Sequence, residues 1–536
     1  MSSSSTVAAP GTPGFYSVAA AHPDRTALIG PEGSTVSFGA LLRRVNALSR
    51  AFRALGLGAG DAVAGVLHNG REFIELLLAT GQAGMYFVPV NHRLAVDEVA
   101  YILRDSGAGI VVADADAAGG LPLDALPSFR FAVHGTVEGW APFADLGDDQ
   151  STDPPPFRRS GTLMGYTSGT TGRPKGVRVR LRDWSPEQYA GMLVSNVVEA
   201  YGLAPGEGVH LVCSPLYHSA PGSHALAFLH AGHTLLIHYG FDAATMLRDV
   251  EAYRVTSTHM VPTHFHRLLG LPDDVRTRAD VSSLEAVVHA GAPCPVPVKH
   301  RMIDWLGPIV WEYLGSTEGT LTRVSSPEWL TRPGTVGRPL PGLTVKVLDD
   351  GGREVPRGES GTLWFGVEGR PPAFEYHGDP DKTAQGRRGD LVTAGDVGYL
   401  DDDGYLFLQD RRTDLIISGG VNIYPAEVEH HLIAHPAVDD LAVIGVPDEE
   451  WGARVVAVVQ PAGGVTPDAR LAEDLDRFCR NGLASFKRPR QIEFSAQLPR
   501  TPAGKLSRRA VRDAYDTDHP QPPAPPTGDK DEERAE

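Results

Sequence analysis

A run of glycine and hydroxylated residues that ends near a lysine is the first candidate for chemistry in this chain. Residues 166–176 read YTSGTTGRPKG, with Lys175 next to the last position. Glycines let backbone N–H groups turn toward an anion, and hydroxyl groups add further donors. The run follows a strand-like segment, LMGY at 163–166, and it lacks the GxxxxGK[ST] spacing of a Walker A loop. Its composition indicates a loop that binds a triphosphate rather than a flexible linker.

Six further segments carry the acids, histidines and lysines that a nucleotide-dependent reaction needs. In chain order they read PLYHSAP (215–221), HAGAPCP (289–295), LGSTEG (314–319), AGDVGYLDDDGYL (394–406), DRRTDLIISGGVNIYPAEVE (410–429) and LPRTPAGKLSRR (498–509). Together with the phosphate loop they resemble the motifs of the adenylate-forming superfamily, which contains acyl-CoA synthetases, luciferases and nonribosomal adenylation domains. The resemblance spans residues 15–512 in order, and ISGGVNIYPAEVE with AVIGVPDEEWG is most similar to bacterial acyl- and aryl-CoA synthetases.

The resemblance implies which residues handle ATP. Thr317 is implied to hold the α-phosphate, and Glu318 to bind Mg²⁺, a hard cation that prefers carboxylate and phosphate oxygens. Asp396 is implied to accept hydrogen bonds from the ribose hydroxyls, with Arg411 as a second contact. The β- and γ-phosphates are assigned to Thr167, Ser168, Gly169, Thr170, Thr171 and Lys175. The walls around adenine are assigned to Gly291, Ala292, Pro293, Leu314, Gly315 and Ser316.

One position of the adenine wall departs from the superfamily pattern. The residue directly before the glycine of LGSTEG is usually a tyrosine that stacks on adenine, whereas this chain has Leu314, with Tyr313 one place earlier. Side chains one residue apart on a strand point to opposite faces, so Tyr313 does not simply replace the missing ring. We expect either weaker adenine packing or a reshaped acid pocket.

The resemblance also implies that the C-terminal part acts in two steps. Lys505 is implied to bridge the carboxylate and the α-phosphate, because one ammonium between two anions offsets their repulsion as the bond forms. A hinge at residues 410–413, which include Thr413, is implied to rotate Lys505 away and to bring residues 419–424 to the acyl-adenylate. Gly419 and Gly420 would leave room there for the pantetheine arm of coenzyme A.

Histidines dominate the segments that the resemblance places around the acid. They are His218, with Ser219 beside it, and His264, His266 and His289. His218 matches an aromatic gate between the two steps and is counted with the catalytic residues. His264 can hydrogen-bond a polar group on the acid, or it can be a structural histidine whose bonds are satisfied. A histidine-rich pocket favours a small or aromatic, functionalised acid over a long plain fatty chain.

Alternating helical and strand patterns supply the framework for these residues. Residues 38–56 have apolar side chains at helical spacing and end in glycine. Strand-like and helical segments then follow in turn: DAVAGVL (61–67), REFIELLLATGQAGM (71–85), FVPVN (87–91), VDEVAYILRDSG (96–107) and GIVVADA (109–115). Three more strand-like segments are TLLIHY (234–239), STHMVPT (257–263) and LEAVVHAGA (284–292). This βαβ rhythm predicts an α/β fold in which helices cover parallel sheets.

The pattern changes after residue 330 and again near residue 414. Glycine-rich strand-like segments predict a small β-subdomain with turns at the Asp-Gly pairs. A compact unit of helices and strands follows. We therefore predict disordered ends at 1–14 and 516–536. Between them we predict an N-terminal adenylation domain at 15–410, with layered βα-rich sheets and the β-subdomain, and a small mobile α+β C-terminal domain at 411–515.

Composition limits the compartment and the partners. The 536 residues carry a net charge of −17, which disfavours nucleic acids and anionic membranes as main partners. The N-terminus lacks the features of a secretory signal, and no apolar run reaches the length of a membrane helix. The three cysteines, Cys213, Cys294 and Cys479, form no CxxC pair, so we expect a reducing cytoplasm. The sequence leaves the oligomeric state open, a homodimer included.

These residues predict an AMP-forming acid–CoA ligase, with secondary metabolism as one setting. ATP and Mg²⁺ would convert a small or aromatic carboxylic acid into an acyl-adenylate with release of pyrophosphate, and coenzyme A would take the acyl group. The alternatives keep the adenylation and change a partner: a carrier-protein thiol, an amine, or nitrite as the acid with an aryl amine as acceptor. Retention of the loop lysine, the acids and Lys505 together argues against a catalytically silent nucleotide-binding protein.

Overall fold

The structure is a computed structural model that describes residues 14–167, 174–291, 294, 296–316, 319–349, 351–411, 416–423, 425–499 and 508–519. Up to the phosphate loop, its helices and strands are α1 (Phe15–Ala21), β1 (Thr26–Ile29), β2 (Thr35–Ser37), α2 (Phe38–Ala54), β3 (Ala62–Val66), α3 (Arg71–Ala83), β4 (Tyr86–Pro89), α4 (Val96–Asp105), β5 (Ile110–Asp114), α5 (Ala115–Ala118), β6 (Phe129–Val133), β7 (Ala141–Pro142) and β8 (Thr162–Thr167). The helix predicted over residues 38–56 is α2, whose N-terminus is capped by a hydrogen bond from the N–H of Ala40 to Ser37 Oγ.

The next stretch continues the alternation and then becomes strand-rich. Its elements are β9 (Lys175–Val179), α6 (Pro186–Leu193), β10 (Val209–Val212), α7 (Ser219–His230), β11 (Thr234–Ile237), α8 (Ala243–Tyr253), β12 (Ser257–Met260), α9 (Pro262–Leu269), α10 (Asp273–Arg278), β13 (Ala286–His289), α11 (Val296–Leu306), β14 (Val310–Glu312), β15 (Gly315–Ser316), β16 (Gly319–Thr320), β17 (Thr322–Arg323), α12 (Ser326–Thr331), β18 (Thr335–Pro339), β19 (Thr344–Leu348), β20 (Gly361–Gly366), β21 (Phe374–Tyr376), α13 (Pro380–Gln385), β22 (Arg387–Arg388), β23 (Leu391–Val392), β24 (Asp396–Leu400) and β25 (Leu406–Arg411).

The C-terminal part is a separate α+β unit. Its elements are β26 (Ile416–Ser418), β27 (Val421–Ile423), α14 (Pro425–Leu432), β28 (Val438–Asp448), β29 (Gly452–Pro461), α15 (Ala469–Gly482), β30 (Gln491–Phe494) and α16 (Arg508–Asp518). Helix α16 continues past the predicted end of this domain at residue 515. Tyr515 is buried against the sheet, and His519 stacks on its ring, so the last helical turn is held in place. The folded part therefore extends further than the composition of the tail indicated.

Two parallel sheets form the large domain, as the βαβ rhythm predicts. Among the described residues, one sheet has the strand order β14-β13-β12-β10-β11-β1-β2, with β1 and β2 antiparallel. The other has the order β21-β9-β8-β4-β3-β5-β6-β7. Its strand pairs are parallel from β8 to β7, whereas the pairs β8–β9 and β9–β21 are antiparallel. A shared apolar core joins them through helices α2, α3 and α7. Asn69, which follows β3, donates to the carbonyls of Ser214 and His238, which follow β10 and β11, so the carboxyl ends of both sheets, where α/β proteins bind ligands, border the same region.

The β-subdomain is antiparallel, in keeping with its predicted turns, whereas the C-terminal sheet is mixed, with β28–β29 antiparallel and β29–β30 parallel. In the described part of the chain, β17, β18, β25, β24, β20, β23 and β22 pair in that order, and β19 pairs with β20. Gly404 ends the turn between β24 and β25, with its N–H bonded to the Asp401 carbonyl. In the C-terminal unit, β28, β29 and β30 form the sheet against which α14, α15 and α16 pack. The described helices include none that is both long and apolar enough to cross a bilayer.

Candidate active site

The phosphate loop joins two paired strands. Strands β8 and β9 are antiparallel neighbours, with Thr167 opposite Lys175. The backbone of Thr167 is thus placed beside the lysine, whereas Ser168, Gly169, Thr170 and Thr171 lie outside the described residues. The Lys175 ammonium lies 2.6 Å from Asp379 Oδ2, and Asp379 also caps α13 through the N–H of Lys382. The lysine is therefore fixed at the mouth of the loop by an ion pair.

Tyr313 and Leu314 face opposite sides of the chain, as the sequence predicts. The Tyr313 hydroxyl lies 3.1 Å from His259 Nε2, inside the core between the two large sheets. Leu314 packs instead into the core of the β-subdomain, where Leu363 is among its neighbours. Gly315 and the backbone of Ser316 follow in β15, and Gly291 follows β13. Ala292, Pro293, Thr317 and Glu318 lie outside the described residues.

A buried ion pair ties the two predicted adenine walls together. The Lys299 ammonium of α11 lies 2.5 Å from Glu312 Oε2 at the end of β14, and both side chains are almost completely inaccessible. His289 Nε2 lies 3.6 Å from the same carboxylate oxygen. Lys299 belongs to the helix that follows Gly291, and Glu312 precedes Tyr313. The pair therefore holds both walls in one arrangement.

The predicted ribose contacts are neighbours across a strand pair. Asp396 and Arg411 are register partners in β24 and β25, and Asp396 is buried. Only the backbone of Arg411 is described. Lys505 lies outside the described residues. The structure thus brings Asp396 and Arg411 together, while the role predicted for Lys505 stays a prediction.

Of the histidines predicted around the acid, three have described side chains, and all three are held neutral by burial. His218 directly precedes α7, and loss of solvent, with the nearby Arg93 charge, lowers its pKa to about 4. Loss of solvent lowers the pKa of His264 to about 3, where its ring stacks on Phe241 at 3.9 Å. The pKa of His289 is lowered well below its ordinary value for the same reason. Ser219 is the first residue of α7, and the side chain of His266 lies outside the described part.

A second group of rings, which the sequence did not single out, lies between these histidines. His224 of α7 and His259 of β12 have ring centroids 4.4 Å apart, and His224 stacks on Tyr313 at 5.6 Å. The N–H at His224 Nδ1 faces the Ala220 carbonyl at 2.9 Å, which leaves Nε2 as an acceptor. His224 Nε2 and His259 Nδ1 are buried and have no hydrogen-bond partner among the described residues. The signal in the sequence was a histidine inside the strand-like segment STHMVPT, whose four β12 residues are all buried.

A cavity of about 970 Å³ lies two ring contacts away from the predicted gate. Its wall includes polar side chains at the carboxyl ends of β3–β6: His68, His92, Arg93, Asp114 and His134. His92 packs edge-on against Tyr217 at 5.5 Å, and the Tyr217 ring lies 4.6 Å from that of His218. Two ring contacts thus link the polar wall of the cavity to the predicted gate residue.

The glycine turn of the C-terminal unit contacts the large domain directly after β12. Gly419 and Gly420 join β26 to β27 with φ values of +59° and +79°, which favour glycine. A Cβ atom on Gly420 would lie 3.2 Å from the side chain of Val261, the residue after β12. Trp451 lies beneath Gly419, between the guanidinium groups of Arg267 and Arg490 at 5.2 and 4.1 Å. The two glycines thus permit a close approach between the domains.

Family models match most of the chain. The AMP-binding enzyme model matches residues 15–369, and the model of the AMP-binding enzyme C-terminal domain matches residues 427–505. The chain belongs to the AMP-binding enzyme family. Within this AMP-binding enzyme, Lys505 is the last residue of the C-terminal match. The predicted domain boundary at residues 410–411 falls between the two matches, and residues 412–415 lie outside the described part.

Relatives of this AMP-binding enzyme include a feruloyl-CoA synthase and an amide bond synthetase. The feruloyl-CoA synthase of an Amycolatopsis species is 37% identical over 489 residues, which cover 90% of this chain and 94% of the relative. The amide bond synthetase of Marinactinospora thermotolerans superposes with a TM-score of 0.81 at 30% identity, over 94% of this chain and 99% of that chain. The chain is thus an AMP-forming acid–CoA ligase or a close adenylate-forming relative.

One solved relative resembles this AMP-binding enzyme to different degrees in two bound forms. The o-succinylbenzoate CoA synthetase of Bacillus subtilis, as a double mutant bound with a product analogue, superposes with a TM-score of 0.78 at 26% identity. Its complex with the acyl-adenylate intermediate gives 0.63 at 27% identity. Both comparisons cover 94% of this chain and 98% of the other.

Proposed function

We propose that this enzyme converts an aromatic carboxylic acid with a polar substituent into its coenzyme A thioester. In the first step, a carboxylate oxygen of the acid bonds to the α-phosphorus of ATP while the bond to pyrophosphate breaks. In the second step, the sulfur of coenzyme A bonds to the acyl carbon, AMP leaves, and the thiol proton is released. The cytoplasm remains the expected location. The observation that carries the proposal is the Gly419–Gly420 turn seated on Val261, beside the buried imidazoles.

The nucleotide is handled by positioning and charge neutralisation. Lys175 would neutralise the departing phosphates, because its ammonium is held where the phosphate loop ends. Asp396 would accept hydrogen bonds from the ribose hydroxyls, with Arg411 beside it. Lys505 would reach the reacting carboxylate in the other domain orientation. Magnesium remains a prediction that rests on Glu318, because the described residues contain no group of three or more His, Cys, Asp or Glu side chains placed to hold a metal ion.

The ring cluster supports the choice of acid. His224, His259 and Tyr313 form aromatic walls, and two of their buried ring nitrogens lack partners among the described residues. Leaving such atoms unpaired costs about 1–3 kcal/mol each, so a ligand that bonds to them gains that energy. A plain alkyl chain would leave them unpaired. The similarity to a feruloyl-CoA synthase supports the same class of acid.

Coenzyme A as the acceptor is supported by the domain arrangement. The two forms of o-succinylbenzoate CoA synthetase cover this chain equally, yet the form with the product analogue superposes better. This difference supports an orientation of the small domain suited to acyl transfer. The Gly419–Gly420 turn leaves room for a narrow arm, and Trp451 with its flanking arginines offers stacking and positive charge for the nucleotide end of coenzyme A.

Amide formation is the second candidate, and the amide bond synthetase with a TM-score of 0.81 favours it.

The experiment that tests both acceptors begins with a panel of benzoic and cinnamic acids, with and without hydroxyl or amino groups. Each acid would be incubated with ATP and Mg²⁺, and pyrophosphate release would be measured. Each active acid would then be supplied with coenzyme A, with amines, or with neither. We expect hydroxylated aromatic acids and coenzyme A to give the most AMP and a thioester by mass spectrometry. Amide without thioester would refute the proposed acceptor. Parallel arms with a carrier-protein thiol, and with nitrite and aryl amines, test the remaining alternatives.

A further inference from the structure

A buried three-residue cluster joins the two domains. The ammonium of Lys487, which ends a short turn before β30, lies 2.5 Å from Glu98 Oε1 of α4 and 2.5 Å from Glu427 Oε1 of α14. Glu98 belongs to the large domain, whereas Lys487 and Glu427 belong to the small one. The side chain of Lys487 is 3% exposed, and those of Glu98 and Glu427 are 14% and 7% exposed. Solvent and salt therefore screen this contact little.

The charges of the cluster favour one ion pair between the domains. One ammonium faces two carboxyl groups in a dry site. Burial, together with the neighbouring Glu98 carboxyl, raises the pKa of Glu427 to about 8, whereas hydrogen bonds from its partners and the Lys487 charge lower the pKa of Glu98. Near neutral pH, Glu98 is therefore the anion that pairs with Lys487 across the domain boundary. Glu427 remains with Lys487 inside the small domain.

The cluster lies on the same boundary as the glycine turn. Other contacts between the domains include Arg267 with Glu450 at 3.4 Å, but those side chains are 36% and 52% exposed. An exposed ion pair contributes little to holding an orientation. The Glu98–Lys487 pair is the better shielded of these two contacts. If the small domain rotates to bring Lys505 to the acid, Lys487 must leave Glu98.

We infer that Glu98 is a positioning residue for acyl transfer: its ion pair with Lys487 holds the small domain where the Gly419–Gly420 turn meets Val261. This inference rests on the proposed two-step function. The contacts of Glu98 are with Ala95 and Lys487, so it would act by stabilising one of two domain orientations. Its removal should therefore slow the step that uses this orientation and spare the step that uses the other.

The two carboxylate oxygens of Glu98 make separate contacts, so a substitution can remove the charge and keep the helix cap. Glu98 Oε2 accepts the N–H of Ala95 at 2.9 Å and so caps α4. In Glu98→Gln, the amide oxygen can keep this cap while the charge that pairs with Lys487 is lost. A matched control is Glu187→Gln, which removes a carboxylate paired with Arg158 at 2.6 Å within the large domain. A second variant, Glu98→Asp, keeps the charge and shortens its reach.

The test separates the half-reactions in the full-length enzyme. ATP–pyrophosphate exchange with the best acid reports adenylation, and single-turnover thioester formation from preformed acyl-adenylate reports transfer. In Glu98→Gln we expect transfer to slow about ten-fold, the effect of losing one charge-assisted hydrogen bond, with exchange changed less than about two-fold. Glu187→Gln should leave the ratio of the two rates unchanged. If Glu98→Gln fails to fold, Glu98→Asp must give the same split.

The outcomes distinguish this inference from the proposed function. A wild-type enzyme that carries out neither half-reaction with any acid refutes the proposed function and this inference with it. A wild-type enzyme that carries out both, with Glu98→Gln slowing both equally or neither, refutes only the role of Glu98.

Discussion

Lys175 Nζ lies 2.6 Å from Asp379 Oδ2, so the lysine of the phosphate loop has a carboxylate partner supplied by the residue that caps α13. The hydrogen bond from Lys175 lowers the pKa of Asp379, which therefore stays ionised near neutral pH. A bound triphosphate would compete with this carboxylate for the same ammonium. We therefore expect the carboxylate to fix the lysine before ATP arrives and to oppose tight ATP binding.

This pairing predicts opposite effects for its two members. Lys175→Ala should raise the KM for ATP about ten-fold, because a charge-assisted bond to phosphate is lost. Asp379→Asn can keep the cap of α13 and removes the competing charge, so the KM for ATP should fall by about two- to three-fold. Steady-state pyrophosphate release at varied ATP measures both. A rise in KM for Asp379→Asn would show that the carboxylate assists ATP binding.

If the small domain acts in two steps, replacing Lys505 should impair adenylation much more than acyl transfer. Lys505→Ala should lower acid-dependent ATP–pyrophosphate exchange on the order of 100-fold, as loss of a transition-state charge contact does. Thioester formation from preformed acyl-adenylate should survive much better. Lys346→Ala is the control, because that lysine pairs with Glu354 on the surface of the β-subdomain. Equal loss of both half-reactions would contradict domain rotation.

The glycine turn predicts the opposite result: replacing Gly420 should impair acyl transfer more than adenylation. In Gly420→Ala, the added methyl group meets Val261 at about 3.2 Å and the backbone has φ +79°, so the observed domain contact is disfavoured. Transfer to coenzyme A should slow about ten-fold while ATP–pyrophosphate exchange stays within about two-fold. The matched control is Gly404→Ala, whose φ is +81° and whose added Cβ meets no atom within 4 Å. Equal transfer rates for both variants would argue against the contact.

The ring cluster predicts a change of acid preference. His224→Phe keeps a ring against Tyr313 and removes the acceptor nitrogen Nε2. For an acid with a ring hydroxyl, kcat/KM should fall about ten-fold, because a buried hydrogen bond is lost. For the same acid without the hydroxyl, kcat/KM should stay constant or rise. A uniform loss across both acids would assign His224 a structural role.

Buried histidines predict a fold that loses stability in acid. Burial lowers the pKa of His218 and His224 to about 4 and that of His230 and His264 to about 3. The unfolded chain protonates histidine near pH 6.5, so it binds more protons than the native state below that pH. The free energy of unfolding should therefore fall as pH decreases from about 6.5 to 4, by about 1.4 kcal/mol per pH unit for each such histidine.

Urea unfolding at pH 7.5, 6.5 and 5.5 measures this slope. The raised pKa values of Glu75, Glu312 and Glu427 oppose part of it, because these groups take up protons in the native state as pH falls. The histidines outnumber them, so the urea midpoint should decrease steadily below pH 6.5. A midpoint that is constant down to pH 5.5 would mean that the buried imidazoles can be charged in the native state.

The sequence predicted the elements well because their signals are local. Helix α2 and the strand Ala62–Val66 follow from apolar spacing within a few residues. The opposite directions of Tyr313 and Leu314 follow from backbone geometry alone. Contacts that depend on strand order were out of reach. His224 meets His259 only because α7 packs near β12, and Glu98 meets Lys487 across 389 residues of chain.

Because Lys299 and Glu312 form a buried ion pair, we expect the two predicted nucleotide walls to change only together. Exchanging either residue alone would strand a charge in the interior, at a cost of about 3–5 kcal/mol. Any design that alters these walls to accept another nucleobase must therefore replace both residues at once, for example with two apolar residues of similar total volume. Single substitutions that arise in evolution carry the same cost, so we expect the residues at these two positions of α11 and β14 to change together.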